Sequence, residues 1–168
     1  MIQDYLLSCM IGCYIIPILI VWYSYNNNGS ISEIIYNNDH RLVILWFMIM
    51  MGIFTLIYEA RREHWFSIYI ILLLLFSIYG VICTKENTRL HVLSAFGCFT
   101  AIVLFMSLHC FIKMDVVLCT LLFAQILLLV LVGVTDTQYF CILEGSAIFV
   151  FAVFYLYLHY RERNYIMP

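Results

Sequence analysis

The sequence predicts an all-α membrane protein, an antiparallel bundle of six transmembrane helices, and three observations predict it. First, 65% of the 168 residues are apolar and only 11% are charged, whereas a water-facing domain keeps roughly a quarter of its residues charged. Second, the mean hydropathy of +1.02 is concentrated in six runs, each of about one bilayer thickness. Third, the segments between the runs are mostly short, and short connections force sequential helices to pack side by side in opposite directions. The whole chain, residues 1–168, reads as a single membrane domain.

The first span is 5–24. Pro17 lies inside it, tolerated because neighbouring helices or a local kink satisfy the freed carbonyl. A basic segment ahead of it is missing and Asp4 is the only preceding charge, so it reads as a retained helix rather than a cleaved signal. Tyr25 to His40 is the longest polar segment and reads as a loop; it contains the glycosylation sequon Asn28-Gly29-Ser30. Span two is 42–58, separated from span three (66–84) by Glu59 to Trp65. The turn Lys85 to Arg89 leads into span four (92–112), which Lys113-Met114-Asp115 closes. Spans five (116–134) and six (141–160) follow, and a short basic tail ends the chain.

Basic residues orient the bundle. With the N-terminus cytoplasmic, Arg61, Arg62, Lys113, Arg161 and Arg163 are inside and Arg41, Lys85 and Arg89 outside, five against three. The excess of inside cations favours cytoplasmic termini and puts Asn28 outside. The four inner arginines read first as topology anchors, with Arg61 and Arg62 as candidates for contact with anionic head groups. A net charge of −2 without a basic run excludes a phosphate-neutralising surface for nucleic acid.

Two ionisable groups stand out. His91 opens span four, and Glu144 lies roughly 5 to 6 Å below the mouth of span six on the same side. A polar group in hydrocarbon is costly unless it finds a partner, so the two are expected to pair. Such a pair can share a proton, hold a polar head group, or only lock two helices together. Small residues (Ser94, Gly97, Cys98 and Ala101 on span four, Gly145 to Ala147 on span six) would let these two helices approach. His109 is separated from His91 by roughly 27 Å of helix, so the two cannot share a metal. His64 and His159 read as interfacial residues.

Seven cysteines are scattered over apolar segments without a CxxC and read mostly as packing residues, with a disulfide between Cys83 and Cys141 left open. No metal or cofactor is expected from these spacings, and no nucleophile elbow, phosphate loop or zinc-helix motif occurs. Gln125 and Glu144 are the only strongly polar groups well inside spans, too few for an evident conduction path.

The order of features resembles the six-span family of the DRAM autophagy modulators and their relatives in GPI-anchor remodelling. Ile31-Ser32-Glu33 matches an Ile-Ser-acid element in the first outer loop. Ser77 to Cys83 and then His91-Val92-Leu93-Ser94-Ala95-Phe96 match a small-residue helix end followed by a histidine that opens the fourth helix. Glu144 matches a glutamate near the outer end of the last helix. The loop lacks the family's prolines, and Gly145 stands where an aromatic is usual. The resemblance implies a non-enzymatic protein of the endomembrane, lysosomal or plasma-membrane system, acting in autophagy or lipid organisation through membrane lipids or other membrane proteins. Against it stand a lipid-modifying enzyme using His91 and Glu144 as an acid-base pair, a small transporter, and an accessory subunit of a larger membrane complex.

Overall fold

The computed structural model describes residues 2–24, 30–62, 64–86, 88–134 and 140–166, and among these the protein is all-α. The helices are α1 (Ile2–Tyr23), α2 (Ile31–Tyr36), α3 (Arg41–Ala60), α4 (Trp65–Cys83), α5 (Arg89–Lys113), α6 (Val116–Val134) and α7 (Phe140–Ile166). All but α2 are long and apolar enough to cross a membrane, so the chain has the build of a multi-pass membrane protein. The six spans fall where the apolar runs lie, because runs of that length bury their backbone only as helix. By packing, the chain divides into two compact units, Met1–Ala101 and Ile102–Pro168, with the boundary inside α5.

In the first unit α1 packs on α3 and α3 on α4, and α2 touches all three. The segment 25–40, expected to be a loop throughout, therefore contains a helix. Ser30 is its N-cap, with extended backbone and a hydroxyl that accepts from the Glu33 amide at 3.1 Å. That satisfies one of the amides a helix start leaves open. Six residues do not hold a helix in isolation. Tertiary packing supplies the rest, since Ile35 is buried in a cluster with Ile44 of α3 and Ile82 of α4. Arg41 adds a clasp: its guanidinium lies over the Tyr36 ring, 4.4 Å from the centroid, and donates to the Ile82 carbonyl at 2.7 Å.

Two short repeats join α4 to the first part of α5. Ser77 and Gly80 of α4 face Gly97 and Ser94 of α5, each glycine opposite a serine. A Cβ on Gly80 would stand 2.9 Å from the Ser94 Cβ, and one on Gly97 would meet the Ser77 hydroxyl at 2.5 Å. Small residues thus bring two backbones together, as helices in lipid commonly do. The small face of span four, expected to meet span six, has Ser94 and Gly97 turned to α4.

In the second unit α6 packs on α7, and the remainder of α5 meets α7 through rings. Phe105 is fully buried, stacked with Tyr155 at 5.6 Å and edge-on to Phe151 and Phe154. Spans four and six are therefore in contact, through aromatic rather than small residues. Asp115 caps α6 by accepting from the Val117 and Leu118 amides at 2.8 and 3.0 Å. It also pairs with Arg161 of α7 and accepts from the Tyr157 hydroxyl. Lys113 pairs with Glu162 at 3.1 Å. Met114, in the left-handed region at φ 49°, lies in the tight turn between α5 and α6.

Candidate functional site

The first unit carries a polar cluster where α2 lies across the turn between α4 and α5. His91 sits in the first turn of α5, whose start Thr88 caps: its hydroxyl accepts from the His91 amide at 3.3 Å and donates to the Lys85 carbonyl at 2.8 Å. The imidazole is 7% exposed and has partners on both edges. Nε2 lies 3.3 Å from the Ser32 hydroxyl of α2. Nδ1 faces the Thr84 hydroxyl and the Thr84 carbonyl, each at 3.4 Å. Ser32 continues to Ser30 at 2.8 Å, and Ser30 to Glu86 at 2.7 Å. Glu33 completes the group beside Glu86. Its carboxyl is held above the usual range, first by the charge of Glu86, then by the hydrogen bond between the two carboxyls, then by burial.

Counting hydrogens narrows what this chain of groups can do. The Thr84 hydroxyl gives its proton to the Gly80 carbonyl at 2.6 Å, and the Thr84 carbonyl only accepts, so Nδ1 must carry a hydrogen. Two consistent arrangements remain for the rest. In one, His91 donates from Nε2 to Ser32, Ser32 to Ser30, and Ser30 to an ionised Glu86. In the other, a protonated Glu86 donates to Ser30 and every bond reverses, leaving Nε2 an acceptor. The two differ by one proton moved between Glu86 and His91, with the serines as relays. The cluster is a closed polar path joining two carboxyls to an imidazole.

Of the residues the sequence singled out, His91 is at the centre of this cluster. Its partners are Ser32, from the Ile31-Ser32-Glu33 element, and Thr84. Two motifs separated by about sixty positions are thus brought into contact. The sequence reading gives Ser30 and Thr84 no part in such a site. The signal for Ser30 was present in Ser30-x-x-Glu33, the spacing of a helix-capping box. Glu144 is half-buried on α7 in the second unit. Asn28 lies outside the described residues.

Elsewhere the structure departs from expectation. Arg61 is exposed, but the Arg62 side chain is only 3% exposed and ion-paired with the fully buried Glu59 at 2.8 Å. A guanidinium paired inside the protein is not offered to head groups. His159, expected at an interface, is buried on α7, where its ring meets Tyr160 edge-on. His109 is buried in the second unit against Phe105, ring centroids 4.5 Å apart. All seven cysteines are free thiols, so Cys83 and Cys141 are not joined. No family model, curated protein or solved structure matches the chain.

Proposed function

We propose that the chain is a DRAM-like multispan membrane protein that works without a catalytic centre, by engaging membrane lipid. On this reading both termini are cytoplasmic and the membrane is lysosomal, another endomembrane or the plasma membrane. The observation that carries it is the occupation of His91: both ring nitrogens are engaged by groups of its own unit, which suits a latch holding α2 in place better than a base awaiting substrate. The meeting of His91 with Ser32 also supports the resemblance, because both belong to its motifs. A second reading has its own support. An imidazole with its hydrogen on Nδ1, accepting at Nε2 from a serine, is how an acyl-transfer nucleophile is prepared, and makes a lipid-ester hydrolase the alternative.

One preparation tests both readings. The full chain, purified in mild detergent, is treated with a fluorophosphonate and separately extracted for lipid. Retained lipid with no adduct on Ser32 is the expected result. An adduct at Ser32, lost in Ser32→Ala, establishes the hydrolase instead, and a folded chain free of lipid removes the lipid reading.

A further inference from the structure

The face between α3 and α4 holds an apolar groove of about 190 Å³, lined by Leu45, Ile49, Gly52, Leu75, Ile78 and Ile82 among others. It follows α3 for about 16 Å, from Leu45 to Leu56. Gly52 shapes its middle: a Cβ there would meet the Leu75 side chain at 2.7 Å, so its absence lets Leu75 lie against the α3 backbone. Ile49 and Ile53 are 48% and 44% exposed along it. On a helix built to cross a membrane, such a furrow takes a hydrocarbon chain.

The charge stands at one end. Arg41 is one helical turn before Leu45, and it donates to the backbone carbonyl of Ile82, one of the residues that line the groove. Its guanidinium therefore bridges the two helices at the mouth of the groove. Tyr36 lies under its flat face, and among the described residues no carboxylate is ion-paired with it. Guanidinium presents five donors, and the Ile82 carbonyl takes only one direction of them. A cation held by a carbonyl and a ring keeps its whole charge.

We propose that this groove is a binding site for an anionic phospholipid, one acyl chain lying between α3 and α4 and the phosphate head group on Arg41. This rests on the lipid reading above and names the lipid class and the place.

The test uses the full chain in mild detergent with dioleoyl phosphatidylglycerol or dioleoyl phosphatidylcholine, which share their acyl chains, and counts bound lipid by native mass spectrometry. Phosphatidylglycerol should be retained about fivefold over phosphatidylcholine, the preference one interfacial cation confers. Arg41→Gln, which removes the charge and keeps a polar side chain, should remove that preference and leave phosphatidylcholine binding unchanged. Ile49→Trp, filling the groove from an exposed position, should lower both lipids, while Ile57→Trp, exposed on α3 outside the groove, should lower neither. Equal retention in the unaltered chain, or a preference that survives Arg41→Gln, overturns the anionic site. Binding unaffected by Ile49→Trp overturns the groove. Retention of neither lipid by the unaltered chain defeats the lipid reading itself.

Discussion

Glu33 has the clearest electrostatic consequence of any single residue. Its carboxyl is pushed up by Glu86 beside it, and the hydrogen bond between the two carboxyls exists only while a proton is shared. An acid whose folded value is raised contributes stability that is fully present below its unfolded value. That stability is lost as pH rises through the folded value. The docking of α2 should therefore tighten as pH falls from neutral into the carboxylate range. Hydrogen-exchange protection of the Ile34 and Ile35 amides, corrected for intrinsic rate, should rise in that direction. Glu33→Gln, which keeps a hydrogen bond to Glu86 and drops the repulsion, should raise protection at neutral pH and flatten the dependence. A pH profile unchanged by Glu33→Gln would assign the effect to other groups. None of this was legible in the sequence, where Glu33 and Glu86 are far apart and only a fold can set like charges together.

At the scale of elements, what could be read depended on length. Six spans were legible because a run of about twenty apolar residues has essentially one solution in a bilayer. The helix Ile31–Tyr36 was not, since its apolar residues are few and its stability comes from Ile44 and Ile82 on other elements. Of the small residues of span four expected to face span six, Ser94 and Gly97 face α4 instead. The complementary pattern, Ser77-x-x-Gly80 against Ser94-x-x-Gly97, lay in the adjacent span. That pairing makes a prediction about stability. Gly80→Ala places a methyl against the Ser94 Cβ as well as its hydroxyl, an overpacking of the kind that costs about 1–3 kcal/mol. Gly97→Ala should cost less, because it meets chiefly a hydroxyl that can rotate away. Ser94→Gly added to Gly80→Ala reverses the two sides of the contact and should recover most of the loss. Thermal unfolding in detergent gives the double-mutant cycle, in which neighbours couple and distant sites add. Simple additivity of the two changes would mean that α4 and α5 do not touch there.

For the whole molecule the decisive property is how the six spans are threaded through the bilayer, and α5 carries its own markers. The chain has two lysines, Lys85 and Lys113, one before α5 and one at its last residue. Twenty-five residues of helix run from Arg89 to Lys113 inclusive, about 37 Å at 1.5 Å per residue, more than the roughly 30 Å of the hydrocarbon core. In the proposed orientation, which the five-to-three bias of basic residues favours, Lys85 would face outward and Lys113 the cytoplasm. Lys85 is exposed; Lys113 is partly covered by its pair with Glu162 but keeps 28% of its side-chain surface. A membrane-impermeant amine reagent applied to sealed vesicles of known orientation should modify Lys85 from the outer or lumenal face. Lys113 should react only after permeabilisation, more slowly because its ammonium is paired. Peptide mass spectrometry reads both sites in the unaltered chain. Modification of Lys113 alone from the outer face would invert the orientation. Equal modification of both lysines in sealed vesicles would mean that α5 does not cross, and the six-span threading would fall with it.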